Sequence, residues 1–129
     1  MKILLDTHAL LWWLADDPAL PPRARKFIRT RSNVIVVSAA SAWEIATKSR
    51  IGKLPHAVDL AFRFDEILAT ELFESLPITC AHAARAGLLP GSHKDPFDRM
   101  LIAQSQAENL PILSNDTVFD TYKLRRLWD

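Results

Sequence analysis

The sequence predicts an α/β fold with a central, mostly parallel sheet flanked by helices. Three short runs of consecutive apolar residues, at positions 3–5, 34–37 and 111–113, are typical of strands that are buried on both faces of a sheet. Segments with helical start signals separate these runs, and parallel neighbouring strands need such crossovers. With 129 residues the chain has the length of one domain, so we expect a single domain spanning residues 1–129.

The composition is that of a folded, helix-rich protein. Hydrophobic residues make up 49% of the chain, charged residues make up 24%, and only 3 residues are glycine, which excludes a disordered or disulfide-stapled chain. The formal net charge of +1 favours no class of charged partner. The single Cys80 cannot form an internal disulfide, and no Cys/His spacing indicates a zinc site. We therefore expect a reducing, cytoplasmic environment.

Neither a signal peptide nor a membrane span is expected. The apolar run at positions 3–14 is interrupted by Asp6 and His8 and lacks a small-residue cleavage site. No apolar stretch approaches the length of about 20 residues that a membrane-spanning helix requires.

The first predicted strand, at positions 2–6, ends in the carboxylate of Asp6. A helix over about 9–14 follows it and stops before Pro18, because proline disfavours helical geometry in the residue that precedes it. A proline pair then opens a second helix that extends to about position 31. Its arginines and lysine form a basic face, which is either an ordinary solvated surface or a contact strip for phosphates.

The second predicted strand, at positions 34–38, is the clearest in the chain because four consecutive residues are β-branched. We expect it to be an internal, parallel strand. Ser41 and Glu44 then have the spacing of a capping box. Glu44 is therefore either part of a helix start or a functional carboxylate.

The middle of the chain predicts two further helices and a short strand. After a break at positions 52–55, an amphipathic helix presents Val58, Phe62, Ile67 and Leu68 on its apolar face. A short strand at positions 76–78 precedes a helix that Thr79 caps and that ends near Gly87.

An Asp-Pro pair marks the start of the most apolar helix. Asp95 at the N-cap accepts an orphan backbone N–H, and Pro96 at the first helical position loses no hydrogen bond. Positions 100–103 are too apolar for a surface helix, so Asp98 lies in the first turn of a buried helix. The structural alternative is that Asp98 only complements the helix dipole or imitates a capping box.

The last third of the chain repeats the opening pattern. Residues 111–113 form an apolar run that leads into Ser114 and Asp116, as the first strand leads into Asp6. A short final strand is expected within positions 124–128.

The predicted carboxylates fall where parallel sheets collect functional groups, beyond the carboxyl ends of strands. If Asp6, Glu44, Asp98 and Asp116 converge there, with Asp95 beside them, their charges repel unless a cation neutralises them. An all-oxygen ligand set without cysteine favours Mg²⁺, with Mn²⁺ as a substitute. A water bound to such an ion is a stronger nucleophile at neutral pH, which suits attack on a phosphodiester.

Four motifs carry a resemblance to a known family over essentially the full length. They are Leu-Leu-Asp-Thr-His at positions 4–8, Trp-Glu-Ile at 43–45 after Ser38, Asp-Pro-Phe-Asp-Arg-Met-Leu-Ile-Ala-Gln at 95–104, and Leu-Ser-Asn-Asp at 113–116. In this order and at these intervals, the chain resembles the PIN-domain ribonucleases, specifically the VapC-type toxins of bacterial toxin–antitoxin pairs. The resemblance implies a PIN-like three-layer fold.

The resemblance also implies metal-dependent cleavage of RNA by an acidic cluster of Asp6, Glu44, Asp98 and Asp116. Asp6 and Asp98 are the expected direct ligands of the metal. Members of this family pair as homodimers and are held inactive by a small antitoxin, so a VapB-like antitoxin and RNA are the expected partners. The last motif reads Ser-Asn-Asp where Thr-x-Asp is common, which is a mild departure.

Four further residues have supporting roles in this interpretation. Thr7 and Ser114 are similar to hydroxyls that border such sites and orient an acid or a water. Asp95 matches the toxin branch, and its Asp-Pro context favours a cap or an outer-sphere role. Arg99 either neutralises a phosphate or forms a salt bridge with a neighbouring carboxylate.

Two other function classes compete with the ribonuclease. A phosphatase of the haloacid-dehalogenase type also begins with a strand that ends in Asp, but it needs a second Asp two residues later, where this chain has His8. A catalytically silent RNA- or protein-binding module would use the carboxylates only as helix caps. The presence of all four of Asp6, Glu44, Asp98 and Asp116 disfavours such a module.

Overall fold

The computed structural model describes residues 1–129 and contains one sheet of five parallel strands. The strands are β1 (Lys2–Leu5), β2 (Val34–Ser38), β3 (Glu74–Leu76), β4 (Ile112–Leu113) and β5 (Arg126–Leu127). Their order across the sheet is β3-β2-β1-β4-β5, and every neighbouring pair is parallel. The predicted α/β fold is confirmed, and the sheet is parallel throughout.

Seven helices connect the strands. They are α1 (Thr7–Leu14), α2 (Pro22–Arg29), α3 (Ala39–Arg50), α4 (Val58–Phe62), α5 (Phe64–Glu71), α6 (Cys80–Leu88) and α7 (Pro96–Glu108). Short 3₁₀ helices lie at Pro55–Ala57 and Thr117–Tyr122. None of the helices combines the length and the apolar character that crossing a bilayer requires.

The sheet lies between two apolar layers, as the three-layer prediction requires. Successive residues of β1 point to opposite faces, so Ile3 and Leu5 join one core cluster while Leu4 joins the other. Leu10 of α1 packs in the first cluster, and Leu101 of α7 packs in the second. Since β1 is central and covered on both faces, the residue that follows it is held in a fixed place.

Helix α7 begins as the sequence predicts. The Asp95 carboxylate accepts hydrogen bonds from the backbone N–H groups of Phe97 and Asp98 at 2.9 and 3.1 Å, and Pro96 is the first helical residue. Residues 100–105 are buried, which agrees with the apolar character of this segment. Asp98 therefore lies in the first turn of a buried helix.

The expected capping box at Ser41 and Glu44 is wrong. Helix α3 begins earlier, at Ala39, because the hydroxyl of Ser38 at the end of β2 caps the helix by accepting from the backbone N–H of Ala40 at 2.9 Å. Ser41 and Glu44 thus lie inside the helix, and both are buried. Because α3 begins at Ala39, the Glu44 carboxylate does not cap the helix.

Two other predicted elements are displaced. The amphipathic helix around positions 58–68 is interrupted at Arg63, and Phe62 is 86% exposed rather than packed. The predicted strand at positions 76–78 occurs as β3, which ends at Leu76. Pro77 has no N–H to donate to a neighbouring strand, which accounts for the earlier end of β3.

A buried polar network ties α7 to the start of α3. The Gln104 side chain is fully buried; its Oε1 accepts from the Ser38 hydroxyl, and its Nε2 donates to the carbonyl of Pro77 at 3.2 Å. Nε2 also lies 3.3 Å from Nδ1 of His82, which itself accepts from the backbone N–H of Thr79 at 3.1 Å. Gln104 therefore fixes helix α7 against the cap of α3.

Replacing Gln104 by alanine tests this network. The variant leaves the Pro77 carbonyl without the Gln104 donor and the Ser38 hydroxyl without an acceptor for its proton, so we expect the free energy of unfolding to fall by about 2 kcal/mol or more. Urea denaturation measures the loss. Gln106→Ala on the same helix is the matched control and should change stability by less than about 0.5 kcal/mol. Equal effects of the two substitutions would contradict the argument.

Candidate active site

An open pocket of about 540 Å³ lies beyond the carboxyl ends of β1 and β4. It is lined by Asp6, His8, Trp12, Glu44, Lys48, Asp95, Asp98, Asn115, Asp116 and Thr117. Ten residues line the pocket and only one of them is hydrophobic. The structure thus brings the four predicted acidic residues together, with Asp95 beside them.

The parallel sheet explains why carboxylates that are distant in sequence meet. Leu5 and Leu113 are partners in the pairing of β1 with β4, so Asp6 and the residues after β4 leave the sheet side by side. Helix α3 follows the other neighbour of β1 and carries Glu44, and α7 packs against α3 with Asp98 in its first turn. Each acid is therefore placed by the chain direction at one edge of the sheet.

Asp6 is one of the two buried carboxylates of the pocket, and the residue is 5% exposed. The Ser114 hydroxyl donates to its Oδ2 at 2.7 Å and accepts from the backbone N–H of Asp116 at 3.0 Å. Burial raises the pKa of Asp6, the Ser114 hydrogen bond opposes this rise, and the charge of Glu44 adds to it. Ser114 thus orients Asp6 and shapes the turn that presents Asp116.

Asp98 is held at the pocket by a histidine that the sequence did not single out. His93 Nε2 lies 2.9 Å from Asp98 Oδ2. Burial raises the pKa of Asp98 to about 6, the His93 hydrogen bond works against the rise, and the charges of Asp95 and Asp6 increase it. The sequence carries no periodic signal for this contact, because His93 lies in the loop before the helix.

Glu44 forms an ion pair with Lys48, one helical turn further along α3. Glu44 is 5% exposed, so its charge depends on a close partner. Burial lowers the pKa of the Lys48 ammonium, but the hydrogen bond and charge of Glu44, with Asp95 and Asp98, outweigh burial and raise it. The i,i+4 spacing of a glutamate and a lysine on a helix is a sequence signal that predicts this pair.

Asp95 and Asp116 each combine a capping role with a position in the pocket. Asp95 caps α7, as its Asp-Pro context predicts. The Asp116 carboxylate accepts from the backbone N–H of Val118 at 3.0 Å at the start of a 3₁₀ helix. Both side chains still line the pocket, so capping and contact with a ligand are compatible for them.

Three of the four predicted supporting residues, Thr7, Ser114 and Arg99, do not line the pocket. The Thr7 hydroxyl is buried and bonds the Ser41 hydroxyl at 2.9 Å, which joins α1 to α3. The Arg99 guanidinium donates to the carbonyls of Ala86, Leu89 and His93 at 3.0, 2.7 and 3.0 Å. Of the two roles that the sequence left open for Arg99, the salt bridge with a carboxylate is not formed, because these carbonyls take its donors.

The carboxylates share the pocket without converging on one point. No group of three or more acidic, histidine or cysteine side chains is close enough to form a ready-made metal site. Each buried acid instead faces a protein partner: Asp6 faces Ser114, Asp98 faces His93, and Glu44 faces Lys48. The arrangement concentrates negative charge in a space open to solvent, and the oxygens that could hold a cation belong to the five carboxylates.

The family model of the PIN domain matches residues 3–124 of this chain. Ribonuclease VapC22 of Mycobacterium tuberculosis is 27% identical over 115 residues, which cover 88% of this chain and 86% of the relative.

Solved structures share the fold at low identity. A VapBC2 complex from Rickettsia felis bound to a promoter DNA fragment has a TM-score of 0.68 at 17% identity, with full coverage of both chains. VapC20 of Mycobacterium tuberculosis, described as a toxin that cleaves the sarcin–ricin loop, has a TM-score of 0.67 at 14% identity and covers 98% of this chain and 99% of its own. The resemblance drawn from the sequence motifs is confirmed, and the chain belongs to the PIN domain family.

Proposed function

We propose that this protein is a Mg²⁺-dependent endoribonuclease and the toxin of a VapBC-type toxin–antitoxin pair. The observation that carries the proposal is the pocket at the carboxyl edge of the sheet, where five carboxylates face one open space. The ribonuclease relative and the solved toxin that cleaves RNA support the same activity. In this proposal the reaction is the hydrolysis of an RNA phosphodiester bond.

The donor set of the pocket fits a hard divalent cation. Its acidic residues offer only oxygen, no cysteine lines it, and burial together with the charges of neighbouring carboxylates raises the pKa values of Asp6 and Asp98. We assign the binding of Mg²⁺, with Mn²⁺ as a substitute, to Asp6, Glu44, Asp98 and Asp116. The bound ion would supply a water of lowered pKa and would polarise the phosphate.

The protein side chains have distinct roles in this mechanism. Asp6 and Asp98 bind the cation most directly, and their partners Ser114 and His93 orient them for it. Glu44, whose charge contributes to the raised pKa of Asp6, would act as the general base for the attacking water. Asp95 adds negative charge beside Asp98 and keeps its capping contacts, as an outer-sphere residue would.

The proposal includes a VapB-like antitoxin and a homodimer. The neighbouring structures include VapBC complexes from Rickettsia felis, Haemophilus influenzae and Salmonella typhimurium, and the chain is covered almost completely by each of them. An antitoxin that places a basic side chain among these carboxylates would neutralise the same charge that the cation neutralises. Such a contact would inhibit the enzyme by excluding the metal.

Cleavage of a mixed pool of cellular RNA by purified, antitoxin-free protein tests the function. With Mg²⁺ or Mn²⁺ we expect discrete fragments, which should vanish with EDTA. Asp98→Asn should lower the rate by a factor of about 10² or more, because it removes a charge from the metal ligands. Asp59→Asn, on exposed α4 and outside the pocket, removes the same charge as a control and should cleave like the wild type. Folded protein that cleaves nothing would favour the catalytically silent binding module.

The pH dependence of stability gives a second test. Asp98 has a folded-state pKa of about 6 against an ordinary value of 3.8, so its ionisation costs folding energy above pH 6. Most of this cost is lost as the pH falls from about 6 towards 3.8, and below that value the carboxyl is protonated in both states. In EDTA at pH 7.5, we expect Asp98→Asn to raise the free energy of unfolding by about 1–2 kcal/mol, after discounting for solvent screening.

Urea denaturation at pH 7.5 and pH 4 measures this gain, which should nearly disappear at the lower pH. Saturating Mn²⁺ should stabilise the wild type more than Asp98→Asn, since a ligand that binds only the folded state stabilises it. A variant that is less stable than the wild type at pH 7.5 would identify Asp98 as a structural residue.

A further inference from the structure

Lys48 is the one lysine or arginine among the residues that line the pocket. Its ammonium forms an ion pair with Oε2 of the buried Glu44, and its side chain is 29% exposed. The charges of Asp95 and Asp98 also act on it, so it lies within the field of three carboxylates. Lys48 is therefore the internal counter-ion of the acidic pocket.

A divalent cation in the pocket would compete with Lys48 for the Glu44 carboxylate. Glu44 is 5% exposed, and Lys48 supplies its positive partner in the metal-free protein. A cation bound among Asp6, Glu44 and Asp98 takes over this neutralisation and repels a nearby ammonium. The ion pair between Lys48 and Glu44 is then weakened.

The side chain of Lys48 has the freedom to move that this exchange requires. Its four-carbon stem is flexible, its ammonium has three rotatable donors, and part of it is in contact with solvent. A non-bridging phosphate oxygen of a nucleic acid in the pocket would offer the ammonium a new strong acceptor. An ammonium suits such a contact as a point charge.

We propose that Lys48 is an exchangeable counter-ion, which neutralises Glu44 in the metal-free protein and transfers its ammonium to an RNA phosphate when a divalent cation is bound. The proposal rests on the metal-dependent ribonuclease function argued above and adds a substrate-binding residue to it. No covalent bond changes; one hydrogen-bonded ion pair replaces another. Lys48 has opposite effects on the two ligands, because it competes with the metal and attracts the RNA.

The first experiment measures Mn²⁺ affinity by calorimetric titration in the absence of RNA. Lys48→Met removes the competing ammonium and keeps the length of the side chain, so Mn²⁺ should bind about three- to tenfold more tightly. Lys2→Met removes the same charge at the opposite end of β1, where Lys2 forms only an exposed pair with Glu74. This control should bind Mn²⁺ like the wild type. Unchanged or weaker binding by Lys48→Met would overturn the proposal.

The second experiment measures RNA binding in a background where Glu44 carries no charge. Glu44→Gln frees the ammonium, and it also avoids an unpaired buried charge when Lys48 is replaced as well, so the double variant has no such obstacle to folding. Fluorescence anisotropy with a labelled single-stranded RNA should give weaker binding for Glu44→Gln/Lys48→Met than for Glu44→Gln. The slope of log Kd against log salt should fall by about 0.7, the value for one phosphate contact.

The outcomes separate the two proposals. RNA binding with equal affinity and equal salt slope in the two Glu44→Gln proteins would contradict the phosphate contact of Lys48 and leave the ribonuclease function standing. Absence of RNA binding and RNA cleavage by every protein, including the wild type, would contradict the function itself. The Mn²⁺ titration decides the exchange with the metal in either case, because it needs neither RNA nor activity.

Discussion

The mutual repulsion of carboxylates at one edge of the sheet is the constraint on which the rest of the site depends. Five acidic residues line one pocket, and two of them have raised pKa values because burial and their neighbours disfavour ionisation. Folding tolerates this arrangement because each buried acid has its own partner: a hydroxyl for Asp6, an imidazole for Asp98 and an ammonium for Glu44. With these partners, no three of the acidic side chains form a ready-made metal site.

The central position of β1 sets where this repulsion is concentrated. Residues 3–5 are completely buried, with neighbouring strands on both sides and apolar layers on both faces, so Asp6 has no room to turn away from its neighbours. The apolar layers supply the stabilisation that offsets a crowded acidic edge. A less rigid strand would let the carboxylates separate, and the pocket would lose its concentration of negative charge.

Features that depend on neighbouring residues in the chain could be predicted from the sequence. The strands of apolar residues, the Asp95 cap and the buried helix after it all follow from local patterns. The position of the acids at one edge of the sheet follows from the rule for parallel sheets. The start of α3 could not be predicted, because Ser38 and Ser41 both precede helical sequence and the capping-box spacing favours Ser41, whereas Ser38 is the N-cap. The contacts of Gln104 and Arg99 join loops to helices, and no periodicity encodes which way those long side chains turn.

Arg99 illustrates how a residue outside the pocket still controls it. Its guanidinium binds the carbonyls of Ala86, Leu89 and His93, so one side chain fixes the loop that runs from α6 to α7. That loop contains His93, whose imidazole contacts Asp98. Asp98 immediately precedes Arg99 on α7. The first turn of α7 therefore carries an acid of the site and also anchors the loop that holds the acid in place. The adjacent residues Asp98 and Arg99 thus have complementary positions, since Asp98 faces the pocket and Arg99 binds the loop carbonyls.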